Sequence, residues 1–456
     1  MALEAKRFSI FRVEETMQRR ALRRIIVVFG GVFLLALLFP GSGEAGDADG
    51  VAFSGEVRIR PEGRDNADFN SDVDDTDFFV GQRTRLGVSA TFKGHYRGVL
   101  QIQDVRNWGE ETKPGSNEKN LDLYQGYLEL FDLPGHMTVR IGRQELKYGN
   151  ERLVGAFNWS NGGRTFDALL VRFAPEKVKL DLFAAQYGRR KNVTFLDPDG
   201  NPILDDQGNP RSDALTFDAL LGAYATLGFL PHTDLELYFF HRADGTNETT
   251  DQTRQISSPG LRVNGKIEGF SYTVEGATQF GDNRGQDHSA FALAVVLGYT
   301  LPTATSPYAK IEYDMASGDD PADSKSKEFD NFFPTNHGHY GFIDYIGWRN
   351  MQDIHATVGL HPMERLNLRV DYHNLALMEV KGRWSNAGGK TIVGADASRS
   401  GSKYLGDEID FTLIYKSKPN FSTFLGYSVF LPGSFAKANL GSDPSSFGYL
   451  MLDFKF

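Results

Sequence analysis

Residues 366–372 read LNLRVDY, and this stretch decides the fold class because apolar and polar side chains alternate along it. In a β-strand, successive side chains point to opposite faces, so alternation gives one apolar and one polar face. The same pattern recurs at 308–315, 353–360 and 408–415. No helical period is sustained after Ala45. The sequence therefore predicts an all-β protein built from two-faced strands.

Working outward from these stretches, we count eighteen alternating segments after residue 45. Most have about 10 to 13 residues, the length of a tilted strand that crosses a bilayer. The predicted strands are 51–60, 79–93, 96–107, 120–131, 136–147, 164–173, 178–189, 214–227, 233–243, 256–265, 268–280, 289–300, 307–317, 351–361, 365–377, 404–416, 419–430 and 446–456. The alternation is weakest at 256–265, and the count of strands is accurate to within about two.

Short and long links alternate between these strands. Short turns such as Gly94-His95 and Asp132–Gly135 are followed, one strand later, by long polar links. The long links are 61–78, 108–119, 148–163, 190–213, 244–255, 281–288, 318–350, 378–403 and 431–445. In outer-membrane barrels, tight turns face the periplasm and long loops face outside. The pattern predicts a transmembrane antiparallel up-and-down β-barrel of about 18 strands over residues 46–456.

The composition excludes several classes of protein. The 456 residues include no Cys, which excludes a disulfide scaffold, thiolate metal sites and a cysteine nucleophile. A formal charge of −10 and a pI near 5.6 exclude a nucleic-acid partner, because phosphate binding needs a basic face. The mean hydropathy of −0.36 excludes a bundle of membrane helices, whereas alternating barrel strands average to such a polar value.

The first 45 residues have the features of a secretory signal peptide. Basic residues precede an apolar run at 25–39, and small residues follow it up to Ala45. This is the order of the basic, apolar and cleavage regions, and the long basic region suggests Met17 as the true start. We therefore expect residues 1–45 to be removed on export and the mature chain to reside in the bacterial outer membrane.

The chain ends on an alternating strand, 449–456 (YLMLDFKF), whose last residue is Phe456. A terminal Phe on such a strand resembles the signal that the barrel-assembly machinery recognises in bacterial outer-membrane proteins. Closure of the barrel leaves no unpaired backbone facing lipid. The expected partners of the outer surface are outer-membrane lipid and lipopolysaccharide, and 35 Phe and 18 Tyr can supply lipid-facing and interfacial side chains.

The polar face of a barrel this wide is expected to line a water-filled lumen. Transport is then the default function, and charges on the inner face set ion preference. The expected inward set is Arg83, Arg85, Arg97, Arg140, Arg262, Arg369, Glu129, Asp167, Glu236, Glu275, Glu312, Asp314, Asp371 and Asp410. Arg83 and Arg85 share one face of one strand and need anionic groups opposite them. Because guanidinium pairs bidentately with carboxylate, a sugar-acid polymer or a smaller anionic solute is a suitable ligand.

Three motifs carry a resemblance to a known family. They are 143–149 (RQELKYG) with Arg152-Leu153, Trp159 and 164–167 (RTFD), then 83–87 (RTRLG), and finally 123–129 (LYQGYLE). Over about residues 80–173 the chain resembles the alginate-export family of outer-membrane channels. The resemblance implies an eighteen-stranded barrel with an arginine-rich, anion-selective constriction for polyuronate export, acting beside a periplasmic export scaffold.

The resemblance also implies which residues form the substrate path. By position it points to Arg83, Arg85, Arg143, Arg152 and Asp167. The inward pattern adds Glu129, Arg140 and Arg369. The alternation breaks after Ile141, which leaves the facing of Arg143 unassigned and is consistent with a bulge centred on Gly142.

The long links include one aromatic-rich segment and three stretches with potential metal ligands. The link 318–350 is rich in aromatic residues and is predicted to fold into the lumen as a plug or to cap the mouth. Its His337-Gly338-His339 sequence and the acidic stretches 65–77 and 197–201 lack the spacing of a metal site. The sequence predicts no metal, no cofactor and no catalytic residue.

Three alternatives to a polyuronate channel remain open. A general porin, or a porin specific for another solute, predicts conductance that polyuronate does not block. An outer-membrane enzyme requires a catalytic Ser/His or Asp/His set at a rim, and the sequence contains no nucleophile elbow, P-loop or zincin motif. A structural or adhesive barrel would use its loops and pass no solute.

Overall fold

The computed structural model describes residues 49–110, 120–197, 201–205, 207–246 and 252–456. The predicted signal peptide, residues 1–45, lies outside the described residues. The strands are β1 (Gly50–Asp65), β2 (Asp77–Phe92), β3 (Tyr96–Asn107), β4 (Leu121–Leu133), β5 (Met137–Gln144), β6 (Phe166–Phe173), β7 (Val178–Thr194), β8 (Ser212–Leu230), β9 (Thr233–Asp244), β10 (Arg254–Ile267), β11 (Phe270–Asn283), β12 (Gln286–Thr300), β13 (Tyr308–Ala316), β14 (Met351–Met363), β15 (Leu366–Ala376), β16 (Trp384–Ser385), β17 (Thr391–Val393), β18 (Tyr404–Lys418), β19 (Phe421–Pro432) and β20 (Ser445–Lys455).

Eighteen of these strands form one closed antiparallel sheet. Each strand from β1 to β14 pairs with the next, β15 pairs with β18, and the order continues through β19 to β20. Because β1 pairs with both β2 and β20, the sheet has no free edge. The remaining strands, β16 and β17, form a separate hairpin inside one loop. The predicted eighteen-stranded barrel is confirmed, and the weak segment 256–265 lies within β10.

The last residue of the chain takes part in closing the barrel. Phe456 donates its backbone N–H to the Gly55 carbonyl at 3.0 Å and accepts the Gly55 N–H at 2.7 Å. A Cβ at residue 55 would lie only 2.1 Å from the Phe456 ring, so a larger residue there would have to displace this exposed side chain. The alternating C-terminal strand thus completes the ladder between the two ends of the sequence.

The two faces of the wall follow the predicted parity. On β14, Ile354 and Val358 point outward and are 51% and 58% exposed, whereas the inward Asp353 is 0% exposed. The outer face is therefore apolar and the inner face polar, as in a membrane-spanning barrel. A six-residue helix, α1 (Ser434–Asn439), lies in the last long loop. No helix within the described part of the chain is long and apolar enough to span a membrane.

One predicted long link proves to be a tight turn. The segment 281–288 was expected to be a long loop, but β11 continues to Asn283 and β12 begins at Gln286. Arg284 and Gly285 form the two-residue turn, and both have positive φ, 58° and 85°. Paired positive φ values are characteristic of a type I′ hairpin, which matches the right-handed twist of the strands. The alternation of short and long links is therefore broken at this position.

Two long loops fold into the barrel interior. The loop 145–165 and the loop 317–350 meet there, where Gly155 donates its N–H to the Phe333 carbonyl at 2.9 Å. Phe329, Tyr340 and Trp348 of the second loop are at most 1% exposed. Of the two predicted positions for the aromatic insert, the structure shows the plug within the lumen.

Candidate functional site

Four arginines form a positively charged surface on the inner faces of β1 and β2. They are Arg58, Arg60, Arg83 and Arg85, which we call the arginine wall. Arg58 and Arg83 are direct cross-strand partners, an arrangement that is unfavourable for like charges unless other groups compensate. All four side chains are buried.

The loop 145–165 supplies that compensation through its backbone carbonyls. Arg58 donates to the carbonyls of Asn158 at 2.7 Å and Ser160 at 3.0 Å, and Arg83 donates to the same two carbonyls at 3.2 and 3.1 Å. Arg60 donates to the Trp159 carbonyl at 2.6 Å and stacks on its ring at 3.9 Å. The wall therefore holds residues 158–160 against the barrel.

Carboxylates complete the charge balance of the arginine wall. Glu56 accepts a hydrogen bond from Arg83 at 2.5 Å, and Glu62 accepts one from Arg60 at 2.6 Å. Glu145, at the start of the loop, accepts from Tyr124 at 2.5 Å and lies 2.6 Å from the Lys147 ammonium. Burial raises the pKa of the Glu145 carboxyl, but these partners outweigh burial and leave the pKa below its usual value.

A negatively charged surface lies on the inner faces of β13, β14, β15 and β18. Its members, which we call the carboxylate–histidine wall, are Glu312, Asp314, Asp353, His355, Asp371, His373, Glu408 and Asp410. Cross-strand register places Glu312 opposite His355, His355 opposite His373, and His373 opposite Glu408. Six carboxylates and two imidazoles are thus concentrated on four adjacent strands.

Arg152 connects the loop 145–165 to this second wall. Its guanidinium bonds to Glu312, lies 3.1 Å from Asp314 and donates to the Tyr340 hydroxyl at 2.5 Å. Arg152 is only 1% exposed. A side chain from one inserted loop therefore contacts both the barrel wall and the other inserted loop.

The loop 317–350 is anchored by its own charged and polar groups. Asp330 lies 3.0 Å from Arg242 and 3.3 Å from Arg254, which belong to β9 and β10. Burial raises the pKa of Asp330, but the guanidiniums of Arg242, Arg349 and Arg254 lower it to about 2. The N–H of Ile343 is donated to Glu408 at 2.8 Å.

The two histidine side chains of the loop 317–350 contact different residues. His337 stacks on Trp159 with ring centroids 3.7 Å apart and contacts Asp344 at 3.0 Å. His339 Nε2 lies 2.9 Å from the Asn150 carbonyl. Burial lowers the pKa of His339 to about 4, so the ring is neutral at pH 7. The two rings do not converge on one ligand site.

At the short-turn end of the lumen, the inward-facing basic residues are accessible to solvent. Arg97 and Arg140 are 42% and 23% exposed at the side chain and share Glu129, at 3.2 and 2.5 Å. By strand parity the basic mouth ring consists of Arg97, Arg140, Arg172, Lys179, Lys266, Lys310, Arg369, Lys416 and Lys455. This ring is the part of the lumen that presents positive charge to water.

The predicted site residues therefore occupy different environments. Glu129, Arg140 and Arg369 face the lumen near the short turns. Arg83 and Arg85 also face inward but lie behind the loop 145–165.

Arg152 is not a wall residue, since it belongs to the inserted loop. Its carboxylate partners lie on β13.

Arg143 and Asp167 require a correction. They are cross-strand partners with a bidentate contact at 2.8 and 3.1 Å, on the face opposite to the buried Gln144 and Phe166. The pair thus lies on the outer face of the wall, outside the predicted path. The expected bulge at Gly142 is also absent from the β4–β5 register. Gly142 has φ 127° instead, and a Cβ there would lie 2.3 Å from the Gly126 carbonyl oxygen.

Several residues of the lumen were missed by the sequence reasoning. The alternation of Glu56, Arg58, Arg60 and Glu62 was a usable signal, because it repeats the pattern at Arg83 and Arg85. His355 and His373 had no comparable signal, since they lie on different strands and meet only through cross-strand register.

Comparisons with known proteins agree with this architecture. The profile of the family described as alginate export matches residues 50–449. Among solved structures, the barrel is similar to OccD3 (OpdP) of Pseudomonas aeruginosa, with a TM-score of 0.58 and 13% identity over 91% of this chain and 93% of that chain. OccAB1 of Acinetobacter baumannii gives a TM-score of 0.54 and 12% identity over 91% and 99% of the two chains. The outer membrane protein opdK of Pseudomonas aeruginosa gives 0.52 and 12% over 90% and 100%.

No curated protein matches the sequence. The profile match confirms the family resemblance and the predicted location in the bacterial outer membrane. The structural similarities support the barrel fold. The transported molecule and the assembly and scaffold partners stay predictions.

Proposed function

Because this chain belongs to the alginate export family and forms a passive outer-membrane channel, we propose that it conducts an anionic polysaccharide of the polyuronate class. The basic mouth ring is the observation that carries this proposal. In outer-membrane barrels the short turns face the periplasm, so the ring lies where an exported polymer would enter. Positive charge at a narrow, water-filled mouth raises the local concentration of an anionic ligand.

The partial charge neutralisation of the mouth ring also allows a bound polymer to keep moving through the channel. Its arginines are partly neutralised, since Glu129 is shared by Arg97 and Arg140 and Asp181 lies 2.7 Å from Arg172. A channel conducts only where binding is strong enough to admit the ligand and weak enough to release it. Several moderately neutralised sites in succession meet that condition better than one strong site.

Planar-bilayer recordings test the proposal. We expect anion preference, and we expect polyuronate added to the short-turn side to block the current, while a neutral polysaccharide of the same length does not. Replacing Arg97→Glu together with Arg140→Glu should reverse the preference and abolish the block. Arg106→Glu, on the outer face, is the matched control and should leave both unchanged. Cation preference of the unchanged protein would contradict the proposal.

A channel for small anions is the second candidate, and the two inserted loops favour it. The two loops lie in the barrel interior, where residues 158–160 cover the arginine wall. A polymer can therefore pass only if these residues move away from that wall. In this case a monomeric uronate should permeate, and the polymer should block without passing. Flux of labelled polymer into vesicles distinguishes the two candidates.

A further inference from the structure

The inner face of β14 and β15 brings together three potential metal ligands. Asp353, His355 and His373 each offer one ligand atom, and these atoms lie within 4.8 Å of one another. The two imidazole rings are stacked with centroids 3.9 Å apart, and His373 Nδ1 lies 2.7 Å from Asp353 Oδ2. All three residues are buried, at 0%, 7% and 1% exposure.

The distal nitrogen of each imidazole faces its own carboxylate. His355 Nε2 is 3.0 Å from Asp371 Oδ1, and His373 Nε2 is 3.6 Å from Asp410 Oδ2. Metal-bound histidines commonly donate their second ring N–H to a carboxylate, which fixes the tautomer and directs the other nitrogen to the metal. In His373 this arrangement leaves Nδ1 beside Asp353, whereas His355 Nδ1 lies 3.6 Å from Glu312 Oε2, so a further carboxylate borders the three ligands.

The charges and hydrogen bonds of this wall are also compatible with a bound cation. Six carboxylates face two guanidiniums, Arg152 beside Glu312 and Asp314, and Arg369 at 2.6 Å from Asp371. Within the described residues, Asp353 Oδ1 and His355 Nδ1 are buried and have no hydrogen-bond partner, and His355 Nδ1 lies 3.6 Å from Glu312 Oε2. Burying uncompensated carboxylates is costly, so this position favours either protons or a bound cation, and the two imidazoles supply ligands for a cation.

We propose that Asp353, His355 and His373 bind one divalent transition-metal ion in the barrel wall. Two imidazoles and a carboxylate suit Zn²⁺ and neighbouring first-row ions better than Ca²⁺ or Mg²⁺, which prefer oxygen ligands. Asp371 and Asp410 act as positioning residues through the imidazoles. Bound at this point, the ion neutralises the surface on which Glu408 holds the loop 317–350.

Zinc binding to the whole barrel tests this site. The protein is purified in detergent without a histidine tag, stripped with EDTA and titrated with Zn²⁺ by calorimetry and elemental analysis. We expect one tightly bound Zn²⁺ per chain, lost in His355→Gln and in His373→Gln. Asp371→Asn should weaken binding by roughly 10–100-fold, as for other carboxylates that orient a ligand. His288→Gln, a buried inward histidine outside the cluster, is the matched control and should bind as before.

X-ray absorption on the unchanged, zinc-loaded protein keeps the proposal falsifiable if a variant fails to fold. We expect a first shell containing two imidazoles and carboxylate oxygen. A wild-type protein that takes up no Zn²⁺ would show that protons alone balance this wall, and the proposal would fail. Retention of the bound ion in the double His355→Gln/His373→Gln variant, or a shell without imidazole, would overturn it equally. None of these outcomes depends on which solute the channel conducts.

Discussion

The arginine wall and the carboxylate–histidine wall both face the lumen, and each contacts one inserted loop, but they balance charge in different ways. The guanidiniums of Arg58 and Arg83 are satisfied largely by neutral carbonyls of residues 158 and 160. In the described residues, Arg58 and Arg83 each keep one buried Nε without a partner, whereas both carboxylate oxygens of Asp410 and one of Asp353 are buried without a hydrogen-bond donor.

The difference follows from what a barrel wall and a loop can offer. Every loop residue supplies a backbone carbonyl, so a folded-in loop readily satisfies several N–H donors. The backbone N–H groups of a barrel are already committed to the strand ladder, so few donors remain for buried carboxylates. Here the arginine wall is completed largely by loop carbonyls, whereas the carboxylate–histidine wall combines the loop N–H of Ile343 on Glu408 with guanidinium, protons or a cation.

The largest effect is expected from Arg152→Met, because it removes a guanidinium from the carboxylate wall without changing the arginine wall. Removing one partner of a buried ion pair typically costs about 3–5 kcal/mol. We expect a loss of this size in the free energy of unfolding, measured by urea titration in lipid vesicles. Arg106→Met, which breaks an outer ion pair with Asp104, should cost less than about 1 kcal/mol. Equal losses in the two variants would contradict the role of the buried Arg152 in balancing the carboxylate–histidine wall.

Removing Arg58 and Arg83 together tests whether the arginine wall holds the loop 145–165. The double change to Gln deletes the charge-assisted hydrogen bonds that hold the carbonyls of residues 158 and 160. We expect residues 158–160 to leave the wall and single-channel conductance to rise severalfold. Thr84→Val, on the outer face of the same strand, is the control. Unchanged conductance in the double variant would mean that other contacts hold the loop.

Acid should loosen the second loop through His339. Its pKa is about 4 in the folded protein against an ordinary 6.5, so the loop released into water binds a proton more readily. The neutral His339 ring therefore stabilises the inserted loop fully above pH 6.5. As the pH falls to 4, the free energy that favours the inserted loop decreases by up to about 3 kcal/mol. Conductance recorded from pH 7 to pH 4.5 should rise, and less steeply in His339→Gln. Parallel pH profiles for the two proteins would argue against this role.

The smallest effect is expected from Arg143→Gln combined with Asp167→Asn. This pair lies on the outer face and is partly exposed, so its removal should change the free energy of unfolding by less than about 1 kcal/mol. Ion selectivity in planar bilayers should not change. A shift toward cations would place the pair in the conduction path and contradict its position in the wall.

Most of the fold could be predicted from local patterns. The alternation at 366–372 and in seventeen other segments gave the strands, and the periodic links gave the up-and-down order. The turn at Arg284-Gly285 was misassigned because the flanking polar residues belong to strands that extend beyond the alternating core. Arg143 was placed on no face because the apolar–polar alternation of the sequence ends at Ile141, although the strand register continues unchanged through Gly142.

The candidate site was only partly predictable. Glu129, Arg140 and Arg369 follow the parity of their strands, so their inward position could be derived. The sequence did not reveal whether an inward arginine contacts water or a loop carbonyl, because that depends on where the loop 145–165 folds. His337 and His339 were considered and rejected as a metal site from the sequence, and His355 and His373, which meet only through cross-strand register, were not singled out.

The sequence by itself determined the barrel, because a two-residue period forces side chains onto alternate faces whatever the rest of the chain does. It also determined that the inner face would be charged. Only the tertiary structure decided which charges are opposed, buried or accessible. Those properties arise from cross-strand register and from two loops folded into the lumen, and both join residues that are far apart in the sequence.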